Sequence, residues 1–278
     1  MQVALTGGTG FIGRRLVERL RQAGHAPLLL RRGDFDALER DKPGAVVHLA
    51  GEPIAQRWTA AAKVRIRDSR VAGTRRLVEA MSTLSPRPRT LVCASAIGYY
   101  GNRGEEVLTE SSAPGDGFLP ATCREWEAQA EIAESLGMRV VRLRTGIVLG
   151  RGGGALEKML PPFRMCAGGR LGSGRQWMSW IHIDDLTGLI LHALEHPLTG
   201  PLNGVAPNPV TNAEFTCLLG RALRRPAVLP APAFGLRFIL GEMAQILLDS
   251  TRVLPKAAEA GGYRFTYPTL DAALAHLI

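Results

Sequence analysis

Val3-Ala-Leu-Thr-Gly-Gly-Thr-Gly-Phe-Ile-Gly13 is a short apolar run that breaks into glycines and then restarts at helical spacing. The pattern predicts a strand, a phosphate-binding turn and a helix N-terminus. Gly7, Gly10 and Gly13 recur every three residues, and Gly8 adds a Gly-x-Gly-x-x-Gly register, so both common spacings of a dinucleotide turn are met. Without a Cβ, one glycine takes the tight turn, another lies against a pyrophosphate and a third packs helix against strand, while free N–H groups face the anion. Thr6, Gly7, Gly10, Phe11, Ile12 and Gly13 are therefore candidate cofactor contacts. Glycine turns also join strands to helices with no ligand present, but here both flanking elements are in place. The helix is expected over 11–23, with Phe11, Ile12, Leu16, Val17 and Leu20 on one stripe and Gly24 as its stop.

The second strand, expected over 27–30, ends in Arg31 and Arg32. An acid at this place would bind the ribose 2′-hydroxyl of NAD, whereas arginine pairs with the 2′-phosphate of NADP(H). The other reading of these arginines is a strand end at the surface. A third apolar strand is expected over 45–49, and Leu49 with the small Ala50 and Gly51 leaves room for a nucleotide across its carboxyl end.

Farther on, the periodicity predicts a helix over 59–81 and a buried strand over 90–94 that delivers Ser95 to the sheet's edge. A helix follows over 121–136, with Thr122 and Glu125 spaced as a capping box, and then a strand over 139–143. Such alternation implies an α/β fold with a mostly parallel, doubly wound sheet. Residues 1–150, continued by 180–208, read as the nucleotide-binding domain. Residues 151–179 and 209–278 read as substrate-side loops and a small C-terminal lobe. Glycines and prolines interrupt 151–180, a helix resumes over 181–195, and short helices separated by prolines follow from 210.

Composition narrows the class. In 278 residues, 46% are hydrophobic, enough for a sizeable core, and no apolar run reaches the roughly 18 residues of a membrane span. Cys93, Cys123, Cys166 and Cys217 lack metal or disulfide spacing, which fits a reducing cytoplasm. Lys and Arg exceed acids by 34 to 25, but the basic residues fall on helix faces with no aromatic stacking motif beside them, so nucleic acid is not expected as a partner; without a span, no membrane partner is expected either. A small-molecule substrate is expected. Arg164, Arg170 and Arg175 suggest that it is anionic, or else form a solvated basic loop. The oligomeric state stays open, a homodimer being one form.

Thr-Gly-Gly-Thr-Gly-Phe-Ile-Gly at 6–13, His-Leu-Ala-Gly at 48–51, Arg-Val-Ala-Gly-Thr at 70–74 and Ser-Ala-Ile-Gly-Tyr-Tyr-Gly at 95–101 resemble the extended short-chain dehydrogenase/reductases. Leu-Gly-Glu-Met-Ala at 240–244, Arg-Val-Leu-Pro at 252–255 and Tyr-Pro-Thr-Leu at 267–270 resemble the tail domain of an atypical NAD(P)-dependent epimerase/dehydratase-like branch. The resemblance implies a Rossmann-type NADP-binding domain with a small variable lobe and an oxidoreductase or epimerase-like activity. It does not name the substrate.

The departures from the family pattern bear on the chemistry. Members of the family use Tyr-x-x-x-Lys, in which the phenol moves the proton and the ammonium lowers its pKa. Here Cys123 and Glu127 take those places, and a carboxylate beside a thiol disfavours the thiolate. The family's asparagine appears as Arg70, and its Ser/Thr falls on Ser95 or Ala96. Tyr99 and Tyr100, after the fourth strand, are the substitute proton-transfer candidates beside Ser95, or are packed aromatics under the loop. His182 reads as a structural histidine bonded to Asp184 or Asp185, with no metal site. Either an NADP(H)-dependent enzyme or an NADP(H)-binding sensor with altered catalytic residues fits.

Overall fold

The computed structural model describes residues 1–31 and 33–278. The first half alternates strand and helix: β1 (Gln2–Thr6), α1 (Phe11–Gln22), β2 (Ala26–Leu30), α2 (Asp36–Asp41), β3 (Ala45–His48), α3 (Ala60–Ser82) and β4 (Thr90–Ala96). A 3-10 turn over Ile97–Tyr100 leads to β5 (Val107–Leu108), α4 (Phe118–Ser135), β6 (Arg139–Thr145) and β7 (Ile147–Leu149). After α5 (Gly154–Arg164) come β8 (Trp177–Met178), β9 (Trp180–His182), α6 (Ile183–Glu195), β10 (Gly200–Gly204), β11 (Val210–Thr211) and α7 (Asn212–Leu223). The chain ends through α8 (Ala233–Leu240), a 3-10 turn, α9 (Gln245–Leu248), β12 (Arg252–Val253), α10 (Lys256–Ala260) and α11 (Leu270–Leu277).

Six strands form one parallel sheet in the order β10-β6-β4-β3-β1-β2. From β1 the chain steps first to one side, into β2, and then to the other, into β3. The carboxyl ends of β1 and β3 thus border the switch point, where ligands bind in open sheets of this kind. One apolar layer packs α1 and α6 against the sheet through Leu16, Leu20, Leu186 and Ile190. The opposite layer brings in α3 and α4 through Leu77, Met81, Trp126 and Ala130. Burial on both faces is why β1, β3 and β4 read as unbroken apolar runs. A third cluster joins Leu156, Phe163 and Trp180 to Phe215, Leu219 and Leu274, so the segment after β7 packs against the C-terminal elements.

Three local expectations are corrected. The helix expected from 121 begins at Phe118, after Gly117; Thr122 is buried inside it, and Glu125 pairs with Arg67 instead of closing a capping box. Pro120 lies in its first turn, where a missing N–H costs nothing, so proline there marks a start and not an interruption. The glycine- and proline-rich stretch after 151 contains α5, with Leu156 and Phe163 buried and Pro161 and Pro162 carried inside the helix. The helix expected from 181 starts at Ile183, because Ile181 belongs to β9 and His182 caps the helix.

Candidate functional site

The glycine turn sits where the sheet switches direction. Gly7 has φ +72, and a Cβ there would come within 2.9 Å of Ala50 N and of Leu49 C, so the turn lies directly on the backbone leaving β3. A Cβ on Gly13 would fall on the Gly7 carbonyl oxygen, so helix and turn pack backbone to backbone. Gly10 N–H donates to Gly7 O at 3.0 Å and closes the turn. Thr6 ties the two strand ends together: Ala50 N–H donates to its Oγ1 at 3.3 Å, and that oxygen lies 2.6 Å from His48 Nδ1.

α1 begins without a side-chain cap and without an acid in its first turn. Its leading N–H groups at Phe11, Ile12 and Gly13 therefore keep their hydrogen bonds and the positive end of the helix dipole for an anion. The Phe11 ring is wrapped by the loop after β7, where a Cβ on Gly150, Gly153 or Gly154 would collide with it. Arg31 is exposed at the end of β2, the strand next to the one that enters the turn, with Leu30 paired to Thr6, and Arg32 lies outside the described residues. Leu49, Ala50 and Gly51 run past the carboxyl end of β3, Gly51 close to the Arg70 guanidinium.

Beside this cradle is a buried ionic network. Glu127 on α4 receives Nε of Arg144 at 2.9 Å, Nη2 of Arg144 at 2.8 Å and the Ser95 hydroxyl at 2.6 Å. Arg144, on β6, also donates to Tyr100 Oη at 3.0 Å, and that hydroxyl donates to Asn203 Oδ1 at 2.8 Å. Of the two readings of Tyr100, proton-transfer candidate or packed aromatic, the structure shows the packed one. Its side chain has no exposure, both roles of its hydroxyl are filled, and burial raises its pKa. Tyr99 is half-buried, with the Arg144 guanidinium 3.5 Å from its ring centroid, a cation–π contact. Ser95 lies inside β4, not past its end, and is almost fully buried.

Cys123 is a buried thiol pushed up to about 12, first by burial and second by Glu127, which removes it as a nucleophile at neutral pH. Arg70 packs over the Trp126 ring and donates to the Glu52 and Ile66 carbonyls at 3.0 Å, while burial lowers its pKa. His182 is bonded to Asp184, but through the backbone: its Nδ1 accepts the Asp184 N–H at 3.0 Å, and its Nε2 lies 3.1 Å from His276 Nδ1. Both ring nitrogens are thus committed, although His182, Asp184 and His276 stand close enough together to outline a metal site.

A cavity of roughly 550 Å³ opens where α3 and the start of α4 face the residues around α9, lined by Lys63, Arg103, Asp116, Phe118, Glu242 and Asp249 among others. Lys63 pairs with Glu242 and lies 5.4 Å from the Phe118 ring centroid. None of Arg164, Arg170 and Arg175 lines it, and Arg170 faces a different cavity, beside α7. These lining residues carry no motif of their own, since they converge from distant parts of the chain. Arg144 did leave a sequence signal, as a charge that recurs within the otherwise apolar β6.

The family model described as the NAD dependent epimerase/dehydratase family matches residues 3–206, and one described as a domain of unknown function, DUF1731, matches 231–277. The Arabidopsis thaliana protein called epimerase family protein SDR39U1 homolog, chloroplastic, is 44% identical, over 99% of this chain and 86% of its own length. Epimerase family protein YfhF of Bacillus subtilis is 39% identical, over 100% of this chain and 98% of its own. A crystal structure of human epimerase family protein SDR39U1 (isoform 2) with NADPH superposes with a TM-score of 0.94 at 38% identity, covering 100% of this chain and 99% of that one.

Proposed function

The chain belongs to the NAD-dependent epimerase/dehydratase family, and from that premise we propose that it is an NADP(H)-dependent oxidoreductase or epimerase-like enzyme acting on a small anionic substrate, phosphorylated or nucleotide-linked. One observation carries the cofactor: the uncapped N-terminus of α1 above a glycine turn too close to β3 for any side chain. The Phe11, Ile12 and Gly13 amides face the pyrophosphate, and Arg31 with Arg32 pairs the 2′-phosphate. The human relative bound to NADPH supports this choice. When bound, the nicotinamide supplies or accepts the hydride.

The remaining chemistry belongs to the chain's own groups. Tyr99 is the proton-transfer group of this reading, since Tyr100, Cys123 and Glu127 are committed elsewhere. Ser95, held by Glu127, sets the polarity of the adjacent wall. The cavity beside Lys63, Arg103 and Phe118 takes the substrate, with residues 151–179 and 209–278 as the substrate-side lobe; an anion there competes with the exposed Glu242 carboxylate for Lys63. Free thiols at exposed Cys166 and Cys217 support a reducing compartment, read here as the cytoplasm.

Calorimetric titration tests the cofactor: NADPH binds more tightly than NADH, and Arg31→Asp together with Arg32→Ala removes the preference. Equal affinity for the two, or none, overturns the assignment. A screen of carbonyl substrates for loss of reduced-nicotinamide absorbance tests catalysis, with Tyr99→Phe expected to abolish turnover. The second reading, an NADP(H)-binding sensor, is favoured by the buried Glu127–Arg144 pair standing where the family keeps its lysine. It is the reading left if NADPH binds and no substrate turns over.

A further inference from the structure

Two spans distant in sequence come together on one side of the C-terminal lobe. Leu229 N–H donates to Gly168 O, Ala231 N–H to Arg170 O and Gly172 N–H to Ala231 O, which lays 168–172 against 229–231. Residues 164–175 contain three arginines and 221–240 four, with no Asp or Glu in either, so the two spans carry +7 of the chain's formal +9. All seven arginines are exposed. Four of them, Arg170, Arg221, Arg224 and Arg225, line a groove of roughly 620 Å³ beside α7, with Thr216 at its wall and no acidic residue lining it.

Next to this groove the surface turns apolar. Val228, on the groove's rim, is 75% exposed; Phe234, Phe238 and Ile239 on α8 are 77%, 89% and 71% exposed. α8 buries none of its eight residues, although Phe234 and Phe238 stand four apart on one face with Arg237 beside them. Side chains of this kind are normally withdrawn from water, and a contiguous exposed set marks a docking surface.

Beyond the proposed chemistry, the geometry points to an anionic lipid bilayer as the occupant of this face: phosphate headgroups seat in the arginine groove, and Phe234, Phe238 and Ile239 enter the boundary between headgroups and acyl chains. Charge complementarity decides between occupants. A second copy meeting the same face would bring another cationic, acid-free surface against this one. A nucleic acid would use the arginines but leave the aliphatic side chains without a partner. The expectation of no membrane partner rests on the lack of a spanning segment, and a protein that lies on the surface needs none; among the described residues no helix is long and apolar enough to cross.

The test is sedimentation of the full chain with vesicles of phosphatidylcholine containing phosphatidylglycerol, against phosphatidylcholine alone. Binding is expected to the anionic vesicles only and to weaken with salt. Each of Arg221→Ala and Arg224→Ala is expected to weaken it about fivefold. The double variant Phe234→Ser, Phe238→Ser is expected to lose it while keeping the wild-type melting temperature, since both rings already stand in water. The proposal is overturned if the anionic vesicles bind no better than neutral ones, or if the double variant binds as well as wild type. It is equally overturned if that variant instead splits a dimer seen by light scattering, or if single-stranded nucleic acid outcompetes the vesicles.

Discussion

Arg144 and Glu127 meet in a two-point ion pair, 2.9 and 2.8 Å, with side chains only 4% and 5% exposed, so β6 and α4 are locked together at the centre of the candidate site. Two desolvated charges of this kind are stable only together. Arg144→Leu or Glu127→Leu alone is expected to cost about 3–5 kcal/mol of unfolding free energy, while the double substitution recovers most of the loss. Urea denaturation of the three variants measures the coupling. If the double variant is as unstable as the sum of the singles, the pair is not the organising contact.

Acid should destabilise the fold through two buried histidines. Burial holds His48 and His182 near 4, against an ordinary value of 6.5. As pH falls from 6.5 towards 4, the unfolded chain takes up protons that the folded chain refuses, so the stability present above 6.5 is progressively lost. Between pH 7 and pH 5 the loss is about 2 kcal/mol per histidine. His48→Gln should remove its share of that slope, which unfolding curves at the two pH values will show.

Two glycines of the first α-helical unit should respond differently to alanine. At Gly13 the added methyl strikes the Gly7 carbonyl, displacing the turn and the first-turn amides together. NADPH affinity is expected to fall at least about tenfold, the equivalent of one lost charge-assisted contact. At Gly24, with φ +74 and nothing within 4 Å of the new methyl, the cost is backbone strain alone, about 1 kcal/mol, with NADPH binding unchanged. Calorimetry beside denaturation separates the two effects.

Asp185 fastens the C-terminal segment to α6. Its carboxylate accepts Thr266 N–H at 2.8 Å, Tyr267 N–H at 2.9 Å and Tyr263 Oη at 3.3 Å. Asp185→Ala leaves two backbone donors without their acceptor and is expected to cost about 2–4 kcal/mol. Proteolysis should then cut first between 261 and 278. Asp185→Asn, which retains one acceptor oxygen, should fall in between.

The phosphate turn and the strand–helix alternation of the first 145 residues are determined locally, by glycine spacing and by apolar runs of the right length. They were legible in the chain for that reason. Cys123 and Glu127 likewise share one helix at a spacing that the sequence prints, and both are buried on it. Hidden were the features made by residues far apart in sequence. Only the folded chain puts Arg144 on Glu127, withdraws Tyr100 into the core while leaving Tyr99 half-buried, and draws Lys63, Phe118 and Glu242 around one cavity. α8 reads in sequence as an ordinary apolar helix; its exposure depends on which neighbours pack against it, and hydrophobic burial carries no address in sequence. Local backbone geometry therefore set the cofactor cradle, and long-range packing and desolvation decided which polar groups beside it are paired and buried.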